Sequence, residues 1–215
     1  KLKKIDKKDN EATIHNLIVP QYRKYEKEKL TEDLYRNNAW LLDDKFMTYD
    51  TVLSEKGMSD VISVITNGES NEEDDGKPDI ALIFSNNPSQ KEKVDVVIVE
   101  LKKKGIKLEN AMVVETQLQS RARKLMKYYN NKIQRIWFYG VVEFNDELEL
   151  ALSGEYTELY STGKMYYREI PVAIQKEPLI KVPIGMFIID LDSLVDDADA
   201  RNSTFLNFLK SKFNK

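Results

Sequence analysis

Two stretches decide the fold of this chain: Pro78-Asp79-Ile80-Ala81-Leu82-Ile83-Phe84 and Val94-Asp95-Val96-Val97-Ile98-Val99-Glu100-Leu101-Lys102. Each contains a short continuous apolar run, and a polar segment with turn residues and a proline separates them. This pattern predicts two buried strands of one antiparallel hairpin. If Phe84 pairs with Asp95, then Asp79 falls opposite Glu100. Because side chains alternate along a strand, Glu100 and Lys102 share one face.

The charged residues at the ends of these strands predict a metal site. In this register Asp79 and Glu100 would have Cβ atoms about 5 Å apart, and two carboxylates at that distance repel unless a cation lies between them. Oxygen ligands of this kind suit Mg²⁺ or Mn²⁺. Alternatively, Asp79 caps the start of a strand and Glu100 and Lys102 form an ordinary exposed pair, since such patterns arise by chance when 32% of residues are charged. The buried strands beside the charges favour the metal site.

Composition limits the classes of protein that the chain can belong to. Its 215 residues predict a single domain that buries about 70% of its unfolded surface. Cysteine is absent, which excludes disulfides and thiolate zinc sites. The sequence contains neither an apolar run long enough for a membrane span nor a signal peptide. We therefore expect a cytoplasmic protein without membrane contact, and the start at Lys1 suggests a piece of a longer protein.

The charge distribution says more about partners than the net charge does. The 33 Lys and Arg residues and 36 Asp and Glu residues give a net charge of -3, which by itself argues against an anionic partner. Basic residues concentrate just after the predicted metal site, at 102–107 and 121–135. Such a cluster is either a solvated surface or a surface that follows a phosphate backbone.

The remaining periodicities predict an α/β protein with a central mixed β-sheet flanked by helices. The predicted helices are 13–36, 46–54, 111–129 and 191–213, and breaks near Pro20 and Thr31 are left open in the first of them. The predicted strands are 80–84, 94–99, 133–144, 165–167 and 183–189, with a short strand or buried turn at 39–42. The only histidine, His15, falls on an amphipathic helix, which indicates a structural role. In the last helix, Leu194, Ala198 and Phe208 are among the residues expected to face the core.

Three motifs in this order resemble those of the PD-(D/E)XK nuclease superfamily: Pro78-Asp79, Glu100-x-Lys102 and Gln117. More narrowly, residues 38–45 and 196–202 look like segments of the C-terminal nuclease-like region of bacterial ATP-binding proteins of the gyrase/Hsp90/histidine-kinase type. The resemblance covers about residues 40–208. It implies a restriction endonuclease-like core within 38–215, preceded by an N-terminal helical segment at 1–37.

The resemblance also implies an activity and the residues that perform it. Asp79, Glu100 and the backbone carbonyl of Leu101 would bind Mg²⁺ or Mn²⁺. Lys102 would hold and activate the attacking water, and Gln117 would orient Lys102, the water or a phosphate. The chain would then be a metal-dependent DNA endonuclease, with restriction or phage defence as its setting.

Other residues and partners stay open at this level. Arg121 and Lys124, further along the helix of Gln117, would contact the DNA backbone; related helices often carry tyrosine where Arg121 stands. The first helix of the superfamily often supplies an additional acid, for which Glu32, Asp33 and Asp43 are candidates. The alternatives are an inactive nuclease-fold module that binds nucleic acid or regulates a larger ATPase, and a plain protein-interaction domain. A homodimer and a linked or associated ATPase domain are both compatible with the sequence.

Overall fold

The computed structural model describes residues 11–21, 24–26, 38–48, 51–70, 76–84, 93–129, 131–159 and 164–213. Within these ranges the helices are α1 (Glu11–Ile18), α2 (Met58–Ile65), α3 (Leu108–Leu125), α4 (Asp146–Ser153) and α5 (Leu191–Phe213). The strands are β1 (Lys24–Glu26), β2 (Thr51–Ser54), β3 (Ile80–Phe84), β4 (Val94–Leu101), β5 (Ile133–Val142), β6 (Thr157–Glu158), β7 (Met165–Gln175) and β8 (Ile180–Asp190). Short 3₁₀ helices occupy Ala39–Leu41, Asp44–Thr48 and Met126–Tyr128.

The strands form one mixed sheet. In the described residues it has eight strands, in the order β1-β2-β3-β4-β5-β8-β7-β6. Strand β4 pairs antiparallel with β3 and parallel with β5, and α3 makes the connection from β4 to β5. A parallel neighbour requires such a crossover, so the predicted order of strand, strand, helix and strand is confirmed, as is the α/β class.

The predicted register of the central hairpin is confirmed along the strands. Phe84 pairs with Asp95, and Ile80 pairs with Val99. One residue beyond the pair Ile80 and Val99, the same register places Asp79 opposite Glu100. The two carboxylates therefore meet where the hairpin opens.

The sheet is buried on both faces. One core lies between the sheet and α2, α3 and α4, and it receives Val96 and Ile98 from β4. The other lies between the sheet and α1, two of the 3₁₀ helices and α5, and it receives Val97 and Val99. Strands covered on both sides have no polar face, which is why β3 and β4 show continuous apolar runs.

Two predicted helices differ from the observed elements. The helical stretch predicted over 13–36 begins earlier, at Glu11, and α1 ends at Ile18, close to the break left open at Pro20, which cannot donate a helical hydrogen bond. Residues 24–26 form β1 instead of helix, and residues 22–23 and 27–37 lie outside the described ranges, so the break near Thr31 is untested. The helix predicted over 46–54 is instead a 3₁₀ helix followed by β2. Val52 of β2 pairs with Leu82 of β3, and this burial in the sheet overrides the weak helical spacing.

The last helix was predicted with the correct bounds, but it packs over less of its length than expected. Leu194 and Ala198 are buried, whereas Phe208 is 56% exposed. The buried residues lie in the first two turns, where α5 crosses the sheet and enters the second core. None of the described side chains in the second half of α5 is buried, and the side chain of Phe205, also expected to face the core, lies outside the described part.

One arginine joins the two segments that carry the narrower resemblance. The guanidinium of Arg201 donates to Asp44 at 2.6 Å and to Asp197 at 2.8 Å. It also donates to the carbonyl oxygens of Trp40 at 3.2 Å and Leu41 at 3.0 Å. The planar fork of arginine suits several acceptors at once, so Arg201 fastens α5 to the 3₁₀ helices.

Candidate active site

The hairpin opening brings the predicted acids and lysine together. Asp79 directly precedes β3, Glu100 is the penultimate residue of β4, and Lys102 follows β4. The backbone amide of Leu101 donates to Asp79 Oδ2 at 2.5 Å, which places this carboxylate against the backbone between Glu100 and Lys102. The amide of Lys102 donates to the carbonyl oxygen of Val141 at 2.9 Å and so ties the site to β5.

The pKa of both carboxyl groups is raised, which means that their ionised forms are destabilised. Burial raises the pKa of Asp79 to about 6, although the hydrogen bond from Leu101 opposes the shift. Burial also raises the pKa of Glu100, and the neighbouring charge of Asp79 raises it further, whereas Arg121 and Lys102 lower it. Lys102 lowers the pKa of both acids. Two acids with raised pKa beside one ammonium form a site in which further positive charge would be stabilised.

Arg121 does not lie on the surface, where the sequence led us to expect a contact with DNA. The residue is 8% exposed. Its Nε donates to Glu100 Oε1 at 3.0 Å, and its Nη2 donates to the carbonyl oxygen of Lys77 at 3.0 Å. The reason is that Glu100 is 1% exposed, and a buried carboxylate requires a partner. Arg121 is an internal partner of the predicted site.

Gln117 lies on the same helix, one turn before Arg121. Its Oε1 is buried, and within the described residues it has no hydrogen-bond partner. A buried amide oxygen without a partner costs free energy on the order of 1–3 kcal/mol. Such an acceptor is suited to a donor that arrives with a ligand, such as water.

A glycine allows α3 to approach the sheet at this level. Gly140 of β5 pairs with Glu100 of β4. A Cβ atom at Gly140 would lie 2.3 Å from Val114 Cγ1 and 2.9 Å from Ile188 Cδ1, which is closer than such atoms can pack. The missing side chain lets α3 lie near enough for Arg121 to reach Glu100.

The structure also reveals residues near Asp79 that were not predicted. Glu11 in the first turn of α1 and Glu55 after β2 both raise the pKa of Asp79. Among the three earlier candidates for an additional acid, Asp43 pairs with Lys45 at 2.5 Å, whereas Glu32 and Asp33 lie outside the described ranges. The acidic first turn of α1 was the only signal for Glu11 in the sequence.

His15 supports the backbone at this site. The residue is 1% exposed. Its ring nitrogens lie 2.8 Å from the carbonyl oxygens of Val19 and Asp79. The contacts agree with a structural role, and they connect α1 to the residue that carries the first predicted ligand.

The residues present fit a divalent cation with few protein ligands. Among the described residues, no group of three or more His, Cys, Asp and Glu side chains is arranged to hold a metal. What remains is a pair of carboxylates, Asp79 and Glu100, with the backbone of Leu101 beside Asp79. Mg²⁺ is commonly bound through one or two carboxylates and several waters, which matches this donor set.

The predicted basic cluster divides into internal and outer members. Lys104 is 9% exposed and bonds to Asp192 at 2.7 and 2.8 Å. The side chain of Arg135 is 49% exposed, although its guanidinium makes a two-point contact with the buried Asp95. Lys124 is half-buried and Arg123 is exposed on α3. Only part of the cluster can therefore meet a partner.

Comparisons with protein-family models, with curated proteins and with solved structures find no match to this chain. None of the described helices has the length and hydropathy that crossing a membrane requires. The geometry of the hairpin opening is therefore the observation from which function must be argued.

Proposed function

We propose that this protein is a metal-dependent nuclease that hydrolyses DNA phosphodiester bonds. The observation that carries the proposal is the hydrogen bond from the Leu101 amide to Asp79. It holds one carboxylate at the backbone between Glu100 and Lys102, which supports a site made of these three residues. Mg²⁺ or Mn²⁺ would be held by Asp79, Glu100 and the Leu101 carbonyl.

Each residue of the site has a distinct part in the proposed reaction. When bound, a divalent cation neutralises charge on the scissile phosphate and makes a water molecule more acidic. Lys102 orients that water and stabilises the negative charge that develops on the phosphate oxygens. Gln117 accepts a hydrogen bond from the water or from Lys102 through its buried Oε1.

The proposed core is the restriction endonuclease-like arrangement formed by β3, β4, α3 and β5. An antiparallel hairpin followed by a helical crossover to a parallel strand supports it. In this proposal Lys124 contacts the DNA backbone, whereas Arg121 acts inside the site. A place in restriction or phage defence, a homodimer and an associated ATPase domain are further proposals that rest on the resemblance alone.

A second function is favoured by one specific observation. The guanidinium of Arg121 occupies one oxygen of Glu100 and thus supplies positive charge where a metal would be needed. In an inactive nuclease-fold module this ion pair would replace the metal. Such a module would bind DNA with an affinity that falls with salt, and it would cut no DNA in any divalent cation.

Incubation of the protein with supercoiled plasmid and with single-stranded DNA tests the proposal. We expect nicked or linear products in Mg²⁺ or Mn²⁺, and no products when a chelator is added. The Asp79→Ala variant, checked for folding by circular dichroism, serves as the control for a contaminating nuclease. Salt-dependent DNA binding without cleavage would favour the inactive module, and neither binding nor cleavage would reject both functions.

A further inference from the structure

A single guanidinium connects the two segments that carry the predicted metal ligands. Arg121 donates from Nε to Glu100 on β4, and from Nη2 to the carbonyl oxygen of Lys77. Lys77 is separated from Asp79 only by Pro78, whose ring fixes the backbone angle φ. Arg121 therefore holds the Glu100 carboxylate directly and the Asp79 backbone through one rigid residue.

The surroundings of Arg121 leave it little freedom. Both Arg121 and Glu100 are buried, and α3 is pressed against the sheet at Gly140. The two hydrogen bonds leave from different nitrogens of one planar group. A lysine at this position would keep the positive charge, but its single nitrogen lacks the rigid fork that serves two acceptors in fixed directions.

We infer that Arg121 is a positioning residue for the metal site, fixing the separation of Asp79 and Glu100 and so the affinity of this pair for a divalent cation. The inference rests on the proposed function and deepens it. It assigns to Arg121 a role inside the site in place of a contact with substrate phosphate. Partners that orient metal ligands in this way typically change metal affinity or activity by about 10- to 100-fold when they are mutated.

The charge and the hydrogen bonds of Arg121 have opposite effects on metal affinity. A guanidinium beside Glu100 repels an incoming cation, so its removal would relieve repulsion while it loosened the ligands. The variant that separates these effects is Arg121→Lys, because it retains the charge and loses the fork. Arg123→Ala is a matched control, since Arg123 lies on the same helix and is exposed.

The experiment measures Mn²⁺ affinity by calorimetry, together with kcat and KM on a DNA oligonucleotide at several salt concentrations. For Arg121→Lys we expect Mn²⁺ affinity and kcat to fall by about 10- to 100-fold, with KM for DNA and its salt dependence unchanged. Arg123→Ala should bind Mn²⁺ like the wild type. If Arg121→Lys fails to fold, Arg121→Gln serves as the second variant, with the same loss of kcat at unchanged KM expected.

Three results would overturn the inference. Wild-type Mn²⁺ affinity and kcat in Arg121→Lys would show that charge alone suffices. A change confined to KM and to the salt dependence would show that Arg121 contacts phosphate. A wild-type protein that neither binds Mn²⁺ nor cuts DNA would overturn the proposed function and this inference with it, whereas the first two results leave the proposed function standing.

Discussion

Replacement of Lys102 by alanine lowers the rate of metal-dependent DNA cleavage by a factor on the order of a hundred to a thousand without weakening Mn²⁺ binding. Lys102 lies close enough to both acids to lower the pKa of each, and in the proposed reaction its ammonium acts on the phosphate bound beside them. Its removal takes away a charge that stabilises the transition state. It also takes away a charge that repels the metal, and Mn²⁺ affinity should therefore stay the same or rise.

The neighbouring lysine provides a matched control. Lys103 is exposed and Lys102 only partly so, and Lys103 is not among the groups that shift the pKa of Asp79 or Glu100. Lys103→Ala should therefore cleave within a few-fold of the wild-type rate. Equal losses of activity in the two variants would indicate general attraction of DNA by positive charge, and an unaffected Lys102→Ala would remove this residue from the proposed mechanism.

The Asp79→Asn variant of the metal-free protein is expected to be more stable than the wild type at pH 8. Burial raises the pKa of Asp79 from 3.8 to about 6, so the folded state binds this proton more tightly than the unfolded state does. The free energy of unfolding therefore falls as the pH rises from about 4 through about 6, and the loss is complete above that range. Asparagine is not ionised, so the free energy of unfolding of Asp79→Asn does not fall in this way.

The size of the effect follows from the shift. Two pKa units correspond to about 3 kcal/mol, which water around the partly exposed carboxyl reduces to about 2 kcal/mol. For a chain of this length we expect the melting temperature to rise by about 4–8 °C at pH 8. At pH 4 the variant and the wild type should unfold at nearly the same temperature.

Metal and a surface variant provide the controls for this experiment. Saturating Mn²⁺ should stabilise the wild type and leave Asp79→Asn almost unchanged, because the variant lacks a charged ligand. Asp199→Asn alters an exposed carboxyl on α5 and serves as the control for the loss of one negative charge at the surface. A destabilised Asp79→Asn at pH 8 would mean that the charge of Asp79 is already balanced in the metal-free protein.

The hairpin and its register were predictable because their signals are local. Two continuous apolar runs joined by a polar turn leave few pairings that bury both strands, and Phe84 pairs with Asp95 as expected. Helix α3 was predicted from its apolar spacing, although it begins three residues earlier than expected, at Leu108. Local periodicity was therefore sufficient for the elements that form the centre of the site.

The remaining features depend on contacts between distant parts of the chain. Strand β2 is four residues long and forms through pairing with β3, which no local pattern indicates. Helices α2 and α4, each of eight residues, were not predicted, since so short a periodic segment carries little signal. The position of Glu11 near Asp79 depends on how α1 packs, and that is set by the whole second core.

Arg121 shows most clearly which contacts cannot be predicted from the sequence. From the sequence, an arginine one turn after Gln117 on a basic helix is equally suited to a phosphate contact and to an internal ion pair. The choice depends on the closeness of α3 to β4, which Gly140 permits. The sequence contains that glycine, but it does not reveal that it faces Val114.

Calorimetric titration of Mn²⁺ into the wild type and into Glu100→Gln tests most directly whether Asp79 and Glu100 form a metal site. Glutamine keeps the shape of the side chain and an acceptor for Arg121, so the comparison isolates the charge of the carboxylate. We predict saturable binding to the wild type and a loss of affinity of about tenfold or more in Glu100→Gln. Absence of binding to the wild type, or equal affinity in the two proteins, would contradict the account.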